Sequence, residues 1–345
     1  MNLVKPARLK PGDTVAAISL SSGAAGEFPQ VYDTVRRVLR ERFDFTLTET
    51  PNALRTDDWL YQNPKARADD LHWALQNPEV KGILSTIGGY ESVRVRPFID
   101  LEIVREHPKV FLGYSDTTVT HLAFLEAGVG SFYGPSLMSG FADLGNFPYA
   151  ERWLRGLLLD GWHGPYEASA TWTEDLADWD APDFAAELER PKAMHPGGWR
   201  WLQGDARAEG PLIGGCVEVL EMLKGTRFWP SMELWTGAVL FLEPSDAPAP
   251  DQMEYWLRNY ATLGVLGNAA GLLMGRPRDY TGEQKETLWG MAKKVLLEVD
   301  RADMPVVADV DIGHTTPMMT LPYGCRVAVD PERRSVELLE PAVSP

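Results

Sequence analysis

Cysteine is scarce in this chain: Cys216 and Cys325 are the only two among 345 residues. Two thiols build neither a disulfide framework nor a four-ligand zinc site. Histidine is little better represented, with six residues and none in a His-x-x-x-His spacing, so no metal is expected at the site. Basic side chains are outnumbered, 33 Lys and Arg against 49 Asp and Glu, for a formal charge of −16. Such a field repels a phosphate backbone, no basic cluster overrides it, and nucleic acid is not an expected partner. Also missing is any run of about 18 apolar residues for a membrane span, and the opening MNLVKPARLKPGDTV has no apolar signal core. A cytoplasmic protein that uses no cofactor is the expectation.

What is present reads as globular: 44% hydrophobic and 24% charged residues, in a chain long enough for two domains. From residue 14 to 135, short apolar runs (TVAAISL, FTLTET, KGILSTIGG, KVFLGYS, SFYGPSL) alternate with amphipathic stretches such as FPQVYDTVRRVLRERF. That alternation predicts parallel βαβ units, whose ligands bind at the carboxyl ends of the strands. Residues 161–205 carry Pro, Asp and Trp without a sustained period, which predicts a linker or substrate-covering loop. Beyond it, GCVEVLEMLKG, AVLFLE, GLLMG, PVVADVDIG, and the pair CRVAVD and SVELLE predict a β-rich second unit. The expected division is 1–160, 161–205 and 206–345.

The stretch KVFLGYSDTTVTHLAFLEAG has two readings. Ser115 can cap the helix that follows. It can equally stand on a strand–turn–helix nucleophile elbow, although the second glycine of Gly-x-Ser-x-Gly is replaced by Thr117. A serine nucleophile needs a base and a carboxylate behind that base. His121 lies on the wrong face of the same helix, and His72, His107, His163 and His195 lack a rigid, well-placed support. His314, following the strand PVVADVDIG, is the best-placed base. Glu243 ends the apolar strand AVLFLE before Pro244, with Asp309 and Asp311 as competing carboxylates. For an oxyanion, Asp116 N–H is supplied by the elbow, and Gly88-Gly89 offers an unobstructed turn.

Taken together, STIGGYES (85–92), FLGYSDTT (111–118), LIGGCVEVL (212–220), LFLEPS (240–245) and DIGHTTP (311–317) resemble the LD-carboxypeptidase family of serine peptidases, and within it the branch containing the microcin C self-immunity peptidase. The resemblance implies a Ser115–His314–Glu243 triad and an oxyanion hole from Gly88, Gly89 and Asp116. It implies an N-terminal α/β domain with a parallel sheet, similar to the class I glutamine amidotransferases, joined to a C-terminal β-barrel-like domain. It further implies a homodimer whose substrate is a small peptide or peptidyl-nucleotide. Tyr90, Glu91, Trp179, Trp199 and Cys216 are the expected substrate contacts, with one of the loop tryptophans stacking on a nucleobase for about 1–3 kcal/mol. Ile87 stands where muropeptide enzymes often carry Arg, which favours the immunity branch. Cys216 stands where immunity peptidases tend to carry Asn, and a thiol makes only a weak hydrogen bond. The alternatives are release of D-alanine from muropeptide tetrapeptides and, from another class, a non-catalytic binding protein.

Overall fold

The computed structural model describes residues 3–345. Strands β1 (Thr14–Ile18), β2 (Thr46–Glu49), β3 (Val80–Ser85), β4 (Val110–Gly113) and β5 (Ser131–Tyr133) all pair in parallel, in the order β5-β4-β3-β1-β2. Helices cover both faces, so the central strands β1, β3 and β4 are largely buried and their successive side chains serve two cores. Val15 and Ala17 of β1 enter one buried cluster, while Ala16 and Ile18 enter the other. The helix Pro29–Phe43 starts on proline, whose missing N–H costs nothing in the first turn, and stops at Asp44 in the left-handed region, φ 56°.

A sixth strand of this sheet comes from the far end of the chain. Leu321–Tyr323 runs antiparallel to β5, with Leu321 opposite Tyr133. The first sheet is therefore completed by residues from the C-terminal part of the chain.

The second sheet has eight strands of mixed direction. Strands Ala208–Cys216, Val239–Glu243, Gly271–Gly275 and Val306–Val310 lie side by side in parallel, with helices Val217–Leu223, Pro250–Thr262 and Gly282–Glu298 among their connections. It is thus an α/β sheet flanked by antiparallel strands: Arg326–Asp330, Ser335–Leu338 and Gly164–Pro165 on one side, Arg200–Gln203 on the other. Short apolar runs look alike in either direction, and only the crossovers decide it.

The Trp-rich segment is built into the fold. Residues 200–203 pair with the strand Val306–Val310, and Thr173 and Thr316 exchange backbone hydrogen bonds of 2.7 and 2.9 Å. Among the described residues, no helix is long and apolar enough to cross a membrane.

Candidate active site

The carboxyl ends of β3 and β4 face the carboxyl ends of Val239–Glu243 and Val306–Val310 across a cavity of about 460 Å³. Tyr114 leaves β4 extended and Ser115 turns sharply, at φ 60°. A non-glycine residue in that region costs of order 1–3 kcal/mol and persists only where its surroundings enforce it. Tyr114, not Ser115, holds the N-cap position of the turn that follows. Instead Ser115 Oγ lies 3.0 Å from His314 Nε2, and His314 Nδ1 lies 2.8 Å from Glu243 Oε2. The three residues are contributed by three elements, separated by 71 and 199 positions.

Two glycines make room for Glu243, which is fully buried. A Cβ at Gly275 would stand 2.6 Å from Glu243 Cβ, and one at Gly313, where φ is +94°, would stand 2.9 Å from both Glu243 Cβ and Cδ. His314 is 16% exposed on its side chain. Burial depresses its pKa, but the charge of Glu243, the hydrogen bond to it, and the charges of Glu218 and Asp246 outweigh burial and leave it above the ordinary histidine value. Tyr114 lies against the imidazole, ring centroids 4.9 Å apart.

The Gly88-Gly89 turn packs directly on the elbow. A Cβ on Gly88 would lie 2.8 Å from Ser115 Cβ and 3.4 Å from Asp116 N, and one on Gly89 would lie 2.5 Å from Ser21 Oγ. Only glycine lets the backbone of this turn approach so near. The Asp116 carboxylate is buried beneath, where Oδ2 accepts from Ser21 Oγ (2.5 Å) and Ser92 N–H (2.8 Å) and so ties the turn to the elbow. Burial raises the pKa of Asp116, against the pull of those hydrogen bonds.

Of the expected substrate contacts, Tyr90, Trp179 and Cys216 line the cavity. Tyr90 OH donates to Asp246 at 2.9 Å. Trp179 stands edge-on to Phe28, centroids 5.4 Å apart. The Cys216 thiol donates to Glu218 at 3.2 Å, and burial, with Glu243 and Glu218 nearby, holds its pKa well above the usual value. Two expected contacts sit elsewhere. Glu91 turns to Arg94 (2.6 Å). Trp199 donates its indole N–H to Asp311 (2.8 Å) and is absent from the lining. Its reason is Asp311 itself, a buried carboxylate that also takes Arg276 (2.9 Å) and Ser169 N–H (2.8 Å) and therefore has no lone pair aimed at His314. His121 is likewise structural, bonded to Ser131 and the Gly113 carbonyl, with burial pushing its pKa down to about 4.

Two residues of the site escaped sequence reasoning. Tyr133, the last residue of β5, accepts from Ser115 N–H and donates to Glu243; its place at a strand's carboxyl end was the available signal. Arg278 is the single Lys or Arg of the cavity lining, and its position in the loop after Gly271–Gly275 carried no motif.

Comparison with known proteins follows the same two halves. The family model described as LD-carboxypeptidase N-terminal domain matches residues 15–134, and that of the LD-carboxypeptidase C-terminal domain matches residues 209–329. The chain is 27% identical over 352 residues to the Escherichia coli Microcin C7 self-immunity protein MccF, covering 98% of this chain and 96% of that one. It is 29% identical over 343 residues to the "Probable murein peptide carboxypeptidase" of Bacillus subtilis, covering 99% and 95%. Among solved structures, MccF with glutamyl sulfamoyl guanosine superposes with a TM-score of 0.86 at 25% identity, covering 99% of both chains. An MccF-like protein from Streptococcus pneumoniae bound to AMP gives 0.83 at 28%, covering 95% of this chain and 99% of that one.

Proposed function

Since the chain belongs to the LD-carboxypeptidase family and is a peptidase, we propose that it cleaves its substrate through Ser115, His314 and Glu243, by way of an acyl-enzyme. The observation that carries this reading is the unbroken line from Ser115 Oγ through His314 to Glu243, at 3.0 and 2.8 Å, opening on the cavity. Ser115 Oγ attacks the scissile carbonyl as its proton passes to His314 Nε2, while Glu243 holds Nδ1–H and steadies the imidazolium. The oxyanion develops against the Gly88-Gly89 turn and Asp116 N–H. Collapse breaks the C–N bond, His314 returns the proton to the leaving nitrogen, and water then hydrolyses the ester by the reverse assignment.

For substrate, we infer an aminoacyl or peptidyl nucleotide. Trp179, held edge-on by Phe28, supplies an aromatic face in the cavity. Arg278 supplies a cation for an anionic group, in a lining whose other charged residues are acidic apart from the catalytic histidine: Glu27, Asp57, Glu218 and Asp246. MccF has been solved with aspartyl sulfamoyl adenosine and, in a variant with one tryptophan replaced by phenylalanine, with adenosine monophosphate. Cytoplasmic residence and homodimer assembly belong to the same proposal.

The test is mass spectrometry of two parallel digests, one of aspartyl sulfamoyl adenosine and one of the muropeptide tetrapeptide, each beside Ser115→Ala. Release of the aminoacyl group from the adenosine compound by the parent chain, abolished in Ser115→Ala while ligand binding persists, is expected. Loss of D-alanine from the tetrapeptide alone would replace the nucleotide reading with cell-wall recycling. Turnover that survives Ser115→Ala would remove the triad.

A further inference from the structure

Tyr133 is fully buried at the end of β5, and its single hydroxyl touches both halves of the catalytic line. It accepts a hydrogen bond from Ser115 N–H at 3.0 Å and donates one to Glu243 Oε1 at 2.6 Å. The other oxygen of that carboxylate, Oε2, belongs to His314. Each oxygen of a carboxylate buried out of water thus has one partner, and the nucleophile's own backbone is joined to the carboxylate by one phenol. We propose that Tyr133 is a positioning residue of the catalytic reaction, which acts through Glu243 and the Ser115 backbone without touching substrate. This rests on the triad reading given above.

The geometry has three physical consequences. First, a carboxylate held by a separate donor at each oxygen cannot rotate or exchange its oxygens, so Oε2 stays aimed at Nδ1, while Gly275 and Gly313 let the backbone pack close against the same side chain. Second, the phenol shares the negative charge of Glu243 and limits how strongly it holds the proton on His314. A 2.6 Å bond to a charged acceptor is the stronger kind of hydrogen bond. Third, the bond from Ser115 N–H anchors the elbow residue whose φ of 60° needs enforcement.

Tyr133 itself has little freedom. It is opposite Gly113 in β4 and Leu321 in the strand from the chain's end. Its ring packs against Phe241, centroids 5.0 Å apart, and against His121 at 5.5 Å. Burial together with Glu243 keeps the proton on the phenol, so it serves as a donor to the carboxylate throughout the working range.

The experiment uses the full chain and a fluorophosphonate probe that phosphonylates active serines, which makes the readout independent of the natural substrate. Rates of Ser115 labelling are measured against pH in the parent chain, Tyr133→Phe and Glu243→Ala, alone and combined, with Ser115→Ala as the unlabelled control. Tyr133→Phe keeps the ring and removes only the hydroxyl. We expect its limiting labelling rate to fall about tenfold to a hundredfold, the range for losing a hydrogen bond to a charged group, with probe affinity nearly unchanged. The acid limb of the profile should move to higher pH, because Glu243 with its charge unshared holds the His314 proton more tightly. In the Glu243→Ala background most of the rate loss should vanish. Replacing Tyr133 by 3-fluorotyrosine keeps the bond, strengthens the donor and should move the limb the other way, which covers the case of a poorly folding Phe variant. A Tyr133→Phe chain with a lower melting temperature but an unmoved acid limb would make the tyrosine merely structural and overturn the proposal. Failure of the parent chain to label at Ser115 would overturn the triad reading first, and this inference with it.

Discussion

At the residue scale the site is governed by what surrounds His314. General-base action needs the neutral imidazole, and its pKa is a contest between burial, which lowers it, and Glu243, Glu218 and Asp246, which together raise it further. The sign follows: kcat/KM should climb with pH through a pKa above 6.5. A profile already flat at pH 6 would contradict the balance. Glu218→Gln should shift the limb to lower pH, since it withdraws one of the raising charges. Much of this site was legible in sequence, because Ser115, His314 and Glu243 each sit just beyond or at the end of an apolar run, where parallel sheets place chemistry. Tyr133 sits at such an end too. What hid it was the lack of any local pattern that separates a packing tyrosine from one whose hydroxyl meets a residue 110 positions away.

At the element scale the segment 161–205 joins buried aromatics such as Tyr166, Trp172 and Phe184 to hydrogen bonds with distant residues, in no regular spacing, which is why no periodicity announced its order. Its anchor is Asp311, which receives Trp199 and Ser169 from the segment, Tyr149 from the first half (3.2 Å), and Arg276 from the second. Trp199→Phe should therefore loosen the segment and cost about 1.5–3 kcal/mol, the value of a hydrogen bond to a charged group. Hydrogen exchange should rise across residues 161–205 and stay unchanged in β1 to β4. Trp179, which lines the cavity, should remain quenchable by an adenine nucleotide in that variant; loss of quenching would mean the two tryptophans act together.

For the whole molecule, the decisive feature is the return of the chain to its first sheet. Leu321–Tyr323 covers the edge of β5, and the last residues also reach back, with Arg8 N–H donating to Ser344 O and Ser344 N–H to Pro6 O at 2.9 and 2.8 Å. A chain ending at residue 160 would expose a buried apolar edge and lose those bonds. It should aggregate or melt without a cooperative transition, while the full chain unfolds in one. Two separate transitions in a calorimetric scan of the full chain would show the halves to be independent.

The alternation of strands and helices, the residues at the strand ends and the family could all be read from the chain alone, because these depend on local period, turn chemistry and short motifs. Three-dimensional packing was needed for the direction of the second sheet, the crossing of Leu321–Tyr323 into the first, the removal of Trp199 from the cavity to Asp311, and the partnership of Tyr133 with Glu243. Each of those depends on contacts between residues far apart along the chain. Such contacts are selected by burial and by the need to pair buried polar groups; burial marks in sequence which face of an element is apolar, but neither requirement marks which distant residue will be the partner.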